Sequence, residues 1–93
     1  MITENQAIEI IEAGFAEDLA FCAPKNFKIS QRKPNTVQFT VNILSLDVLF
    51  SLMESEEVEN VYFHPSVAPP RSHVDASASR YRIYVKFIAE IQV

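Results

Sequence analysis

Glycine is nearly missing from this chain. Among 93 residues there is one, Gly14. Loops that cradle phosphate need several glycines so that backbone amides can approach the ligand closely. No P-loop and no dinucleotide fingerprint can be written onto the sequence, which argues against nucleotide-dependent chemistry. Cysteine is equally scarce. Cys22 stands alone, so no internal disulfide can form and the fold does not depend on an oxidising compartment. Long apolar runs are also lacking. The stretch from Val41 to Met53 is cut by Asn42, Ser45, Asp47 and Ser51. It falls far short of the roughly 20 residues that span a bilayer. The opening MITENQAIEI has no positive n-region, and its apolar residues are spaced rather than continuous. No membrane partner is therefore expected, and a cytoplasmic location is the default.

What is present suits a globular domain. Hydrophobic residues make up 48% and charged residues 22%, close to ordinary soluble proteins, so disorder is not expected. A chain of this length can bury roughly two-thirds of its unfolded surface, enough for one core. Residues 1–93 are read as a single α+β domain.

Residues 3–22 read as a helix. Thr3 followed by Gln6 is a capping-box pattern. Ile8, Ile11, Phe15, Leu19 and Cys22 recur at spacings of three and four and form an apolar stripe, widened by Ala7, Ile10, Gly14 and Phe21. Gly14 reads as a close-packing point. Residues 26–32 and 37–45 suggest a hairpin, turning at Lys33-Pro34-Asn35-Thr36. Phe27 and Ile29 face one way, and Val37, Phe39, Val41 and Ile43 face the same way on the partner strand. A two-residue turn would set Ile29 against Thr40 and mix the two faces, so an odd loop or a bulge is expected. A second helix is expected over 46–56, with Ser45 as N-cap and Leu46, Leu49, Phe50, Leu52 and Met53 buried. Glu54, Glu56 and Glu57 oppose the helix dipole, so this helix should stop near Ser55. Residues 58–64 form a short strand with Val61 and Phe63 inward.

Residues 80–93, RYRIYVKFIAEIQV, alternate with a period of two. Tyr81, Ile83, Val85, Phe87, Ala89, Ile91 and Val93 share one face. Arg80, Arg82, Tyr84, Lys86, Glu90 and Gln92 share the other, with Ile88 the exception. Fourteen residues at ~3.3 Å each exceed the usual strand, so the strand should bend near Ile88-Ala89 or its end should pair with something else. A second copy of the chain is the simplest such partner. The order αββαββ implies a four-stranded, mainly antiparallel sheet with two helices packed on one face. Moving the last strand to the front gives the split-βαβ order, an analogy of topology.

Charge is segregated by element although the net charge is −4. Residues 1–24 and 46–60 carry acids and no lysine or arginine, whereas 25–33 carry bases and no acid. The helices are acidic and the strands basic. The open sheet face would gather Lys28, Tyr62, Arg80, Arg82, Tyr84 and Lys86. The proline-rich loop from Pro65 to Ser79 adds Arg71 and His73 as candidate contacts. Tyrosine and arginine anchor protein interfaces. They also suit stacking and phosphate pairing on single-stranded nucleic acid, but a net acidic chain is poorly matched to a polyanion. An ordinary solvated strand face carries the same residue types.

No catalytic signature stands out. There is no G-x-S-x-G elbow. Cys22 falls at a helix C-terminus, where the dipole opposes a thiolate. His64, His73 and Asp75 have no spacing that specifies a zinc site. The sequence therefore points to a non-catalytic protein-binding module without a cofactor, acting on a protein partner or as a homodimer. Subunits, inhibitors, immunity proteins and viral or bacterial accessory proteins share this size and plainness. Single-stranded nucleic-acid binding on the same face is the alternative.

Overall fold

The computed structural model describes residues 1–19, 23–66 and 80–92. In chain order the elements are β1 (Ile2–Thr3), α1 (Glu4–Phe15), a 3₁₀ turn (Ala16–Asp18), β2 (Lys25–Ile29) and β3 (Thr36–Val41). Then follow α2 (Leu46–Glu54), β4 (Val58–Ser66), β5 (Arg80–Phe87) and β6 (Ile91–Gln92). The main sheet has the order β2-β3-β5-β4, antiparallel throughout. The expected α+β architecture is present. Strands β3 and β4, joined through α2, leave a slot that β5 fills. With β5 moved to the front, that is the split-βαβ arrangement.

Helix α1 begins with the capping box read from Thr3 and Gln6. The Gln6 amide donates to the Thr3 hydroxyl at 3.1 Å, and the Thr3 amide donates to the Gln6 side chain at 2.8 Å. The helix is shorter than its apolar stripe suggests. It ends at Phe15, and Ala16 takes φ 48°, a backbone turn that no α-helix accommodates. Cys22 lies outside the described residues. Helix α2 starts at Ser45, whose hydroxyl accepts from the Val48 amide at 3.4 Å, and stops at Ser55 as its acidic end implies.

The hairpin β2–β3 has both an odd loop and a bulge, where its pattern demanded one or the other. Ser30 and Thr36 close a connection with 31–35 between them, and the Thr36 amide donates to the Lys33 carbonyl at 2.9 Å. Ile29 stands opposite Val37, so apolar residues share a face. A bulge between Lys25 and Lys28, with Asn26 at φ 59°, shifts the register. Asparagine tolerates that left-handed backbone better than most residues. The bulge turns Lys25 onto the same face as Lys28, opposite Thr40.

Two strand ends differ from the alternation. Strand β3 ends at Val41, and the chain bends at 42–43 to reach α2, which leaves Ile43 exposed rather than in the core. Strand β5 ends at Phe87. Residues 88–90 break the ladder, and Ile91–Gln92 pair in parallel with Ile2–Thr3. The long terminal strand thus bends where expected, and its far end is used within the chain. The surplus edge that suggested pairing with a second copy is occupied. Asn35 clamps the break: the Phe87 amide donates to its carbonyl at 2.7 Å, and its side chain donates to the Phe87 carbonyl at 3.1 Å.

Both helices cover the apolar face. Ala7, Ile11 and Phe15 of α1 and Val48, Leu49 and Leu52 of α2 join Val37, Phe39, Ile83, Val85 and Phe87 in one core. Phe15 meets Phe39 edge-on with ring centroids 5.9 Å apart. Each such fully buried side chain contributes about 1.5–3 kcal/mol. The helices approach closely at Gly14, where an added Cβ would sit 2.5 Å from Leu52 Cδ2. Helix α2 presents a different side inward than its apolar residues suggested. Val48, Leu49 and Leu52 are buried, whereas Leu46, Phe50 and Met53 are exposed.

Candidate functional site

The face opposite the helices carries the polar residues of all four strands in register. One row runs Lys28, Gln38, Tyr84, Tyr62, each directly opposite the next. The adjacent row runs Lys25, Thr40, Arg82, His64. At strand spacings of ~4.8 Å, each row crosses roughly 14 Å of sheet. Strand parity forces this grouping. Val61, Phe63, Ile83 and Val85 turn to the core side, so Tyr62, His64, Arg82 and Tyr84 must turn outward.

The centre of the face is aromatic. Tyr62 and Tyr84 stack with centroids 4.9 Å apart and planes 12° apart. His64 sets its ring at steep angles to both, 6.4 Å from Tyr62 and 5.7 Å from Tyr84. Cross-strand aromatic pairs of this kind contribute ~0.5–1.5 kcal/mol beyond their buried area. Arg82, Lys25, Lys28 and His64 are exposed around the half-buried tyrosines. Thr40 pins the bulge beneath Lys25, accepting from the Asn26 side chain at 3.2 Å and donating to the Lys25 carbonyl at 3.3 Å.

Lys86 is engaged. A second bulge, between Val58 and Asn60 of β4, brings Glu59 to 3.2 Å from the Lys86 ammonium. An exposed ion pair contributes little to stability, roughly 0–1 kcal/mol. Among the described side chains of the face, it neutralises one corner and leaves Arg82, Lys28 and Lys25 as open cations.

Of the residues singled out in the sequence, Lys28, Tyr62, Arg82, Tyr84 and Lys86 come together on this face. The backbone of Arg80 continues it, opposite Ser66, while its side chain is outside what the structure describes. Arg71 and His73 lie outside the described residues, as do Asp75 and most of the Pro65–Ser79 loop. Sequence reasoning left Lys25, His64 and Glu59 out of this face, and weighed His64 only as a metal ligand. His64 was legible by parity, two residues from Tyr62 on one strand. Glu59 was not, because a bulge sets its direction.

The exposed acids cluster on the helix side: Glu4, Glu9 and Glu12 on α1, Asp47 and Glu54 on α2, and Glu56 and Glu57 just beyond. The molecule has an acidic layer of helices and a sheet face whose exposed charges are mainly basic. Among the described residues, no three of His, Cys, Asp and Glu gather in a group that would hold a metal ion. No helix among them is long and apolar enough to cross a membrane. Comparison with protein-family models, with curated proteins and with solved structures finds nothing that matches this chain.

Proposed function

We propose that this chain is a non-catalytic protein-binding module whose open sheet face receives an acidic segment of a partner protein. The observation that carries the reading is the stacked Tyr62–Tyr84 pair, ringed by Arg82, Lys28, Lys25 and His64 on a face that neither helix covers. The rings supply a rigid apolar floor of low conformational entropy, and the cations supply charge attraction at its rim.

Two features favour a protein over single-stranded nucleic acid. A base platform needs aromatic faces open to solvent. Here each tyrosine gives one face to its neighbour, and His64 lies against both rings. Few cations of the face are also open among the described side chains, because Glu59 neutralises Lys86, and phosphate contacts supply most of the affinity for a polyanion. Self-association through this same face is disfavoured, because its exposed charges are mainly basic and a second copy would set like charge against like charge.

Calorimetric titration at low salt tests the reading with two probes, an acidic peptide containing aromatic residues and a mixed-sequence single-stranded oligonucleotide. The peptide should bind, and Arg82→Ala or Tyr84→Ala should each weaken it at least tenfold. Micromolar binding of the oligonucleotide with none of the peptide would transfer the face to nucleic acid.

A further inference from the structure

We infer that the outer edge of β4, together with the apolar groove beside it, is a two-fold interface between copies of this chain. The groove is about 320 Å³, lined by Leu46, Leu49, Phe50 and Met53 of α2 and by Val61 and Phe63 of β4. Leu46, Phe50 and Met53 recur at spacings of four and three. They form a second apolar stripe, apart from Val48, Leu49 and Leu52, which enter the core. Leu46, Phe50, Met53 and Phe63 keep 64%, 59%, 53% and 41% of their surface exposed. At ~150–250 Å² for a large side chain, that leaves on the order of 400 Å² of apolar surface per copy. This is about half of the ~800 Å² that each partner buries in a standard interface. Single molecules also carry patches of this size, so area alone selects no occupant.

The strand edge selects it. The sheet has two edges, and they are built differently. Edge β2 is five residues long, bulged at Asn26, and bears Lys25 and Lys28. Those are the devices that keep an edge from pairing. Edge β4 is nine residues long, and between its bulge at Glu59 and Pro65 it reads Asn60, Val61, Tyr62, Phe63, His64, without a lysine, an acid or a proline. Charge along this run favours neither an acidic nor a basic partner strand, and among the described residues the Val61 amide is held only by the neighbouring Asn60 side chain at 2.9 Å. What points to a second copy is that the run is complementary to itself about Tyr62.

Register sharpens the inference. Residues opposite each other in a sheet share a face. With the two-fold axis through Tyr62, Val61 of each copy faces Phe63 of the other, and Asn60 faces His64. Moving the axis to Val61 sets Phe63 against Glu59. Moving it to Phe63 brings Pro65 into the ladder, where it lacks an amide to donate. The central register alone keeps apolar against apolar with no charge or proline in the run. It places both α2 stripes on the same side of a joined sheet, and it sets the two Tyr62–Tyr84 pairs side by side on the other.

Sedimentation equilibrium of the full chain, with hydrogen exchange of its amides, tests this. Wild type should sediment at twice the 10.6 kDa of one chain. Amides within residues 60–64 should gain protection as concentration rises through the dissociation constant. Phe50→Glu and Phe63→Lys change exposed side chains, and each should weaken the dimer about 30-fold or more, as loss of an interface anchor does. Ile88→Glu, at an exposed apolar site away from the groove, should leave the mass unchanged. A wild type that stays monomeric at several hundred micromolar overturns the inference. So does a dimer that survives both groove substitutions while its circular dichroism is native.

Discussion

Gly14→Ala should destabilise this protein, although the same change in an open helix stabilises it. In a helix interior, alanine is favoured over glycine by about 1 kcal/mol, an upper bound at Gly14, which stands one residue before the end of α1. Against that stands the new methyl group, whose carbon would lie 2.5 Å from Leu52 Cδ2 and 3.0 Å from Leu52 Cγ. Carbon atoms pack comfortably at ~3.5–4.0 Å, so the overlap is roughly 1 Å. Leu52 is fully buried, so its side chain can retreat only by repacking the core around it. Overpacking of this kind costs about 1–3 kcal/mol. The expected net effect is a loss of about 1 kcal/mol, read by urea denaturation as a lower midpoint at unchanged slope. A double-mutant cycle separates the two contributions. Leu52→Ala alone should cost about 2–5 kcal/mol. In its presence the overlap is gone, and Gly14→Ala should turn stabilising by about 1 kcal/mol. A single Gly14→Ala variant that gains stability, or a cycle that is simply additive, would refute the close packing of α1 on α2.

Three further outcomes follow from local geometry. Ala16 sits at φ 48°, where a side chain is strained, so Ala16→Gly should raise stability by ~1 kcal/mol in the same urea assay. The Thr36 hydroxyl is buried without a hydrogen-bond partner, and Thr36→Val removes it at nearly constant shape. That change should be neutral or stabilising by about 1 kcal/mol, measured by thermal unfolding. The Ser55 hydroxyl donates to the Glu57 carboxylate at 2.7 Å, and with help from the Glu57 backbone it holds that carboxyl below its ordinary value. A folded-state value that is depressed adds stability above the unfolded value and loses it as pH falls through the folded one. Titration of Glu57 by NMR should therefore show its midpoint rising in Ser55→Ala.

Much of the fold is written in short-range pattern. The alternation of residues 80–87, the Thr3–Gln6 cap, the Ser45 cap and the Pro34-Asn35 turn each reflect a local rule, and each holds. Departures arise where tertiary contact decides. Residues 46–53 are apolar around most of the helix, so a period of 3.6 cannot say which arc meets the core. Position between α1 and β4 chose Val48, Leu49 and Leu52 and left Leu46, Phe50 and Met53 outside. The end of α1 at Phe15 is equally hidden, because Ala16, Glu17 and Asp18 include no helix breaker. Ile88 did announce the break in the last strand, as the one apolar residue on the wrong side of the alternation. The candidate site was legible where it depends on parity, as for Tyr62, Arg82 and Tyr84. It was hidden where a bulge sets direction, as for Lys25 and Glu59.

The basic and aromatic side of the sheet, which faces away from both helices, is the surface proposed to meet a partner. Amide chemical-shift mapping of the labelled chain during titration with an acidic peptide tests this most directly. Shifts concentrated at Lys28, Gln38, Thr40, Tyr62, His64, Arg82 and Tyr84, and abolished in Arg82→Ala, are the predicted result. Shifts confined to α1 and α2, with those strand positions unmoved, would contradict it.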